Sequence, residues 1–307
     1  METQHRIGAL AWCLLVILGL IWGGSFFFAR IAVHDVPPLS LVFLRLSLAA
    51  LALHAYIAGR FGLYGLLRSH WRQFLVLGLI NNALPHALIF LGETRIGAGL
   101  AAVLNASTPI WTVIVGNYAT TDERLTPAKL LGCVVGLVGT AVLVGPGLTA
   151  AAGAPLWALL APILAAISYG FAAIYGKRFR GMPAPAVAAG QLTASSLLVL
   201  PAALLVDRPW SLAMPPGGSI AAIVALALLS TAFAYILFFR ILALAGATNA
   251  SLVTLLVPPS AILLGAAFLG ETLGTTEILG MLLIGSGLVV LDGRVYGRWG
   301  RMQMRRG

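Results

Sequence analysis

Residues 97–116 read GAGLAAVLNASTPIWTVIVG, and residues 246–265 read GATNASLVTLLVPPSAILLG. Both runs are apolar enough to cross a bilayer, yet the first carries Asn105, Ser107, Thr108 and Pro109 in its middle. A shift of 149 residues superposes Gly97 on Gly246, Ala98 on Ala247, Ala101 on Ala250, Pro109 on Pro258 and Gly116 on Gly265. Paired, proline-interrupted spans in the two halves of a membrane chain point to a binding site at the interface between repeats.

The composition agrees with a membrane chain. Of 307 residues, 60% are apolar and 9% charged, and the mean hydropathy is +0.99, outside the range of soluble domains. The charges fall between apolar segments of about 20 residues, the length a helix needs to span hydrocarbon. Ten spans follow, at 8–29, 39–58, 73–92, 97–118, 128–146, 155–176, 184–206, 218–239, 247–269 and 276–292. The 7–28 run is too long for a signal-peptide core and has no small-residue cleavage site, so it reads as the first span. Trp12, Trp71, Trp157, Trp210 and Trp299 sit near span ends, where tryptophan anchors to the interface.

The net charge of +10 does not signal nucleic acid, because the basic residues mark topology. Fifteen of the 19 Lys and Arg fall on one side of the ten-span arrangement. Arg30, Arg95 and Arg208 fall on the other, and Arg45 lies within span 2. The basic side is cytoplasmic, so both termini are expected there. Cys13 and Cys133 lie in apolar spans and form neither a metal spacing nor a disulfide framework.

The repeat extends beyond the opening pair. A shift of 147 puts Trp22-Gly23 on Tyr169-Gly170, Arg30 on Lys177 and Pro38 on Pro185. A shift of 148 puts Glu123 on Glu271, Leu131-Gly132 on Leu279-Gly280 and Gly139 on Gly287. Each half holds five helices, an odd number, so the second half enters the membrane from the opposite side. The expected fold is all-α and integral to the membrane: ten transmembrane helices as two inverted five-helix repeats. The expected division is 1–147, 148–293 and a basic cytoplasmic tail at 294–307.

The chain resembles ten-helix members of the drug/metabolite transporter superfamily built from two EamA-type repeats. The resemblance rests on Trp22-Gly23-Gly24-Ser25, on Phe43-Leu44-Arg45, and on Pro258 followed by Leu269-Gly270-Glu271, Gly280 and Gly287. In the first half Glu123 stands one residue late. The resemblance covers nearly the whole chain and implies a secondary transporter of the bacterial-type inner membrane, nearest to amino-acid and metabolite exporters, including the YddG-type exporters of aromatic amino acids. Small four-helix multidrug relatives bind cations through a glutamate in helix 1. Span 1 has none, which disfavours cationic-drug/proton exchange by that route.

Polar groups within hydrocarbon usually face a cavity or a partner helix. Asn82, His86 and Glu93 share one face of span 3, and a shift of 149 puts Thr231, Tyr235 and Leu242 there in span 8. Asn105, Thr108 and Thr112 share a face of span 4. Asn82 and Asn105 lie near the midplane, with His86 about one helical turn (~5–6 Å) outward. The substrate-binding candidates are Asn82, His86, Asn105, Trp111, Tyr169, Tyr235 and Trp22, with Phe26 to Phe28 nearby. The amide, imidazole and phenol groups suit polar ends, and the rings suit an apolar or aromatic body. Interhelical bonding is the competing role for each polar group. His86 offers a group for proton coupling, or a neutral imidazole that bonds substrate or backbone.

Pro109 and Pro258 free a backbone carbonyl mid-span, and serve either as hinge and cavity wall or as packing kinks. Arg45 is expected to pair with Glu93 or to snorkel outward, in a structural role. Glu123 and Glu271 are expected to cap helices or brace loops. The GxxxG patterns at Gly19–Gly23 and Gly132–Gly136 fit close packing inside one chain or between two, so both monomer and homodimer stay open.

No cofactor or metal is expected, since P-loop, HExxH and clustered carboxylates are absent from the sequence. The GxGxxA match at Gly97 opens a membrane helix without a preceding strand and carries no dinucleotide reading. The expected partners are a small-molecule substrate and the lipid bilayer. The expected mechanism is alternating access around a cavity between spans 3, 4, 8 and 9, with spans 1 and 6 as walls. A passive channel and a membrane-embedded enzyme are the rival classes.

Overall fold

The computed structural model describes residues 7–58, 63–93, 95–96, 98–145, 153–269 and 274–292. Gly97, Glu271 and the tail 294–307 lie outside them, as do the side chains of Phe26, Phe27, Arg30 and Glu93. Among the described residues there is no strand, and the helices assemble into ten membrane-crossing units.

Span 1 is Ala9–Ala32 and span 2 is Pro38–Ile57. A short helix not expected from the sequence, Leu63–Ser69, precedes span 3. Span 3 has three pieces: Trp71–Gly78, a π-helical turn Leu79–Ala83, and Leu84–Glu93. Span 4 breaks into Ala98–Asn105 and Thr108–Ala119. Spans 5 and 6 are Pro127–Val144 and Leu156–Gly176. Span 7 is Ala184–Ala202, prolonged by a π turn at Ala203–Asp207. Span 8 repeats the pattern of span 3, with Gly217–Ala227, a π turn Leu228–Phe233, and Ala234–Ala245. Span 9 is Ala247–Ser251 and Val253–Leu269, and span 10 is Thr275–Asp292.

Seven continuous runs, in spans 2 and 4 to 9, are long and apolar enough to cross a membrane by length and composition. Ala9–Ser25 and Thr275–Leu291 are shorter apolar helices within spans 1 and 10. Trp71, Trp157 and Trp210 are exposed near span ends, while Trp12 packs on the main core.

The local chemistry of the ends is simple. Proline occupies the first turn of spans 2, 5 and 7 and of the second helix of span 4, where its missing N–H costs nothing. Thr126 caps span 5, its hydroxyl accepting from the Lys129 N–H at 3.2 Å. Gly246 takes φ +86°, a left-handed turn that lets span 9 follow span 8 directly.

The inverted repeat is visible in matching close contacts. A Cβ at Gly23 would stand 2.7 Å from the Ser260 Cβ and 2.8 Å from the Ala261 N. A Cβ at Gly170 would stand 3.0 Å from the Thr112 N and the Trp111 carbonyl carbon. The shift of 147 relates the glycines, and the shift of 149 relates Trp111-Thr112 to Ser260-Ala261. Span 1 thus lies on span 9 as span 6 lies on span 4. The π turns of spans 3 and 8 are also related by 149, beginning at Leu79 and Leu228.

Small residues let membrane helices approach backbone to backbone. Spans 5 and 10 show this most fully. A Cβ at Gly132 would lie 2.7 Å from the Gly287 O, one at Gly139 2.6 Å from the Ile284 N, and one at Gly287 2.6 Å from the Gly136 N. Both GxxxG patterns are consumed inside the chain: Gly19 and Gly23 against span 9, Gly132 and Gly136 against span 10 and Leu255.

At Gly280 an added Cβ would lie 2.5 Å from the Leu143 Cα, so backbone must move. Gly280→Ala is expected to cost about 1–3 kcal/mol, read as a lower thermal midpoint of the detergent-solubilised protein. Gly65→Ala, whose Cβ meets nothing within 4 Å, is expected to leave the midpoint unchanged or slightly raised.

Candidate functional site

A cavity of about 870 Å³ lies between the repeats. Spans 1, 3, 4, 6, 8 and 9 line it as the sequence leads one to expect, and span 2 joins them through Pro38, Leu41, Val42 and Arg45. The cavity reaches the Val33–Pro38 end of spans 1 and 2. Its floor holds Ala173 and Ser251, near the opposite ends of spans 6 and 9.

The π turn in span 3 decides which amide faces the cavity. A π turn closes i to i+5 and inserts one residue into the helical count. Asn81 and His86 therefore line the cavity, while Asn82 is fully buried one layer behind it. The Asn82 Nδ2 donates to the Ser195 Oγ at 2.8 Å, its Oδ1 accepts from the Tyr235 hydroxyl, and its carbonyl accepts from His86 Nδ1 at 2.7 Å. Asn82 thus orients two groups that face the cavity. Asn81 donates to the Gln191 Oε1 at 2.8 Å.

Span 8 repeats this logic. Tyr235, the repeat-mate of His86, lines the cavity, and Thr231, the mate of Asn82, is fully buried. Thr231 donates its hydroxyl to the Leu226 O at 2.8 Å, five residues back. The Ser230 carbonyl accepts two tertiary donors, Trp22 Nε1 at 3.2 Å and an Arg45 Nη2 at 3.3 Å. In span 3 the Ile80 carbonyl accepts from the Ser168 hydroxyl at 2.7 Å.

Trp22 and Tyr169 both line the cavity, and Trp22 packs against Tyr235 and Phe238 with ring centroids 6.1 and 5.9 Å away. Trp111 is not on the cavity surface: its Nε1 donates to the Ser107 Oγ at 3.1 Å, and its backbone meets Gly170. Asn105 lines the cavity, and its Oδ1 is a buried acceptor with no hydrogen-bond partner. Pro109 is buried at the start of the second helix of span 4, just after the break at 106–107. Pro258 lines the cavity but sits inside the continuous helix Val253–Leu269, and span 9 breaks earlier, at Leu252.

Arg45 is the residue whose placement the sequence least discloses. It lines the cavity, with Nε donating to the Thr231 Oγ1 at 2.7 Å besides the bond to Ser230. Span 9 adds Ser251 and Thr254, and span 4 adds Thr108. The polar interruption of 97–116 was the available signal for Thr108; the partners of Arg45 lie 185 and 186 residues away. Among the described residues no group of three His, Cys, Asp or Glu is placed to hold a metal.

Beyond the floor, a charged cluster lies at the ends where span 6 finishes and span 9 begins. Lys177 Nζ lies 2.5 Å from Asp122 and 3.6 Å from Glu123, and Arg180 lies 3.5 Å from Asp122. Glu123 accepts from the Ala247 N–H at 2.7 Å and so caps span 9, where carboxylates are favoured. Burial pushes the Asp122 carboxyl up, but the Lys177 hydrogen bond and charge outweigh it and hold it below its ordinary value.

The model of the EamA-like transporter family matches residues 9–145 and 156–291. The chain is 24% identical over 279 residues to the uncharacterized transporter YoaV of Bacillus subtilis, covering 89% of this chain and 94% of that one. It is 28% identical over 293 residues to the uncharacterized inner membrane transporter YedA of Escherichia coli K12, covering 90% and 89%. A probable terminal-alkyne amino-acid exporter of Streptantibioticus cattleyicolor is 26% identical over 294 residues, covering 95% and 96%. A solved crystal structure shares the fold with a TM-score of 0.76 at 22% identity, covering 92% of this chain and 97% of that one.

Two asparagines separate support from recognition. Asn82→Ala leaves the Tyr235 hydroxyl without the acceptor and the Ser195 Oγ without the donor that Asn82 supplies, at an expected cost of about 1–3 kcal/mol, read as a lower thermal midpoint. Asn105→Ala removes an acceptor that has no partner, so the midpoint is expected to hold while ligand binding weakens.

Proposed function

We propose, from the premise that this chain belongs to the EamA-like transporter family, that it exports small apolar or aromatic amino-acid-type metabolites by alternating access. The chain is a multi-pass membrane protein, and its family handles small molecules rather than transforming them. The observation that carries the finer reading is the cavity itself. Its volume suits a small organic solute, its walls are mostly apolar or aromatic, and a few polar groups converge on it: Asn81, His86, Asn105, Arg45 and Tyr235. A zwitterion with an apolar side chain needs that mixture. The relative described as a probable amino-acid exporter supports the choice of substrate class.

Alternating access is the mechanism that this arrangement favours. The cavity reaches one end of the bundle, and the cluster of Asp122, Glu123 and Lys177 braces the other. Equivalent contacts in the two repeats, at Gly23 and Gly170 and at the two π turns, supply the structural equivalence that an exchange of open ends requires. In this reading Pro109 and Pro258 mark where spans 4 and 9 flex, Trp22 and Tyr169 form the walls, and the two repeats, 1–147 and 148–293, rock against each other.

Counterflow in proteoliposomes tests the reading. The expected result is saturable exchange of labelled phenylalanine or leucine, with half-saturation in the micromolar to millimolar range. Flux that rises linearly with concentration marks a channel and overturns the carrier reading. His86→Ala is expected to change affinity or substrate preference; if rate, affinity and preference all stay at the wild-type values, the cavity is misassigned.

Loosening the cluster gives a second readout. In a Cys13→Ala background, Ser251→Cys at the cavity floor is expected to react with a membrane-impermeant thiol reagent from the Val33–Pro38 side. Adding Lys177→Ala is expected to raise labelling from the opposite side.

A further inference from the structure

We infer that Arg45 is the residue that reads the substrate's carboxylate, so that the cavity selects molecules carrying a carboxylate on an apolar body. The inference deepens the proposed function and rests on its assignment of the cavity as the binding site.

A charge inside hydrocarbon is retained only where something uses it. A guanidinium carries five N–H donors. Arg45 commits Nε to the Thr231 hydroxyl and one Nη2 hydrogen to the Ser230 carbonyl. Both acceptors are neutral, and among the described residues no carboxylate lies within ion-pair distance of it. The Nη1 group has no described protein partner, although Arg45 lines the cavity. Arg45 is also the only residue among the described lining that always carries a charge, so within that lining the cation has no anion.

The inverted repeat provides an internal control. Span 7 braces the π turn of span 3 as span 2 braces that of span 8. There the bracing is neutral: Gln191 accepts from Asn81, and Ser195 accepts from Asn82 while donating to the Gly78 carbonyl at 3.2 Å. Holding a π turn therefore needs hydrogen bonds and no charge. The charge at Arg45 exceeds the structural task, and a carboxylate matches the fork of donors left over.

The polar end then has an address. A carboxylate at the Nη1 edge of Arg45 lies in the same cavity as Tyr169 and His86, and the apolar body extends along Trp22, Phe238 and Val257. An amine lacking the carboxylate brings a cation toward a cation and is refused.

The test uses the full chain in proteoliposomes and three probes: L-phenylalanine, 3-phenylpropionate, which lacks the ammonium, and 2-phenylethylamine, which lacks the carboxylate. Wild type is expected to exchange labelled phenylalanine, with phenylpropionate competing and phenylethylamine not. Arg45→Gln is expected to raise the half-saturation concentration at least about tenfold and to remove competition by phenylpropionate. Arg45→Lys keeps the charge without the fork and is expected to retain that competition in weakened form. If Arg45→Gln fails to fold, the Lys variant and the wild-type competition pattern still decide.

Equal competition by the amine and the acid in wild type overturns the inference while phenylalanine exchange leaves the carrier reading standing. Restoration of wild-type kinetics in the Arg45→Gln variant by Glu93→Gln also overturns it, since the charge then serves Glu93. Absence of exchange for all three probes overturns the amino-acid reading and this inference with it.

Discussion

A backbone carbonyl inside hydrocarbon needs a donor, and in the π turn of span 8 the Ser230 carbonyl draws side-chain donors from two other spans. It accepts from Trp22 in span 1 and Arg45 in span 2. That single acceptor ties three spans from both repeats together at the depth of the cavity. It places the Trp22 ring on the cavity wall and holds the Arg45 guanidinium beside it. The equivalent turn in span 3 works with hydroxyls and amides, through Ser168, Gln191 and Ser195. The irregular backbone is therefore also the scaffold of the site.

Close packing divides the molecule into two kinds of contact. Where spans 5 and 10 meet, glycines face backbone with no room for a methyl group, and ridges set this tightly resist sliding. The side chains that face the cavity are held differently. Aromatic edges, single hydrogen bonds and a buried acceptor without partner at Asn105 leave surfaces that can be rearranged at modest cost. The Glu123 carboxylate lies between these regimes: it caps span 9 from the first repeat and links the halves through a loop.

Much of this was legible in the sequence, because a bilayer fixes the length of every span and charge fixes which ends stay together. The repeat shifts of 147 and 149 relate the contacts of Gly23 to those of Gly170, although no residue pattern named which spans would pack together. The site was legible only in part. Periodicity assumes an α-helix, so it placed Asn82 on the surface that the π turn gives to Asn81. The prolines marked spans 4 and 9, but the break in span 9 falls at Leu252, where no residue type announces it. The hydrogen bonds of Arg45 to Thr231 and Ser230 fit the structural role read for it, but its partners are too remote in sequence for any local pattern to name them.

The glycine face shared by spans 5 and 10 has a further consequence, for the order of assembly. Gly132, Gly136 and Gly139 are made early, yet the surfaces that cover them arrive with Leu255 of span 9 and with Thr275–Asp292, the last described helix. Until then the first five helices present an unfilled seam to lipid or to whatever else occupies the membrane. Contacts so distant along the chain form late and slowly. Biogenesis of this protein therefore depends on a half-built state that survives, laterally unsealed, through synthesis of the entire second repeat.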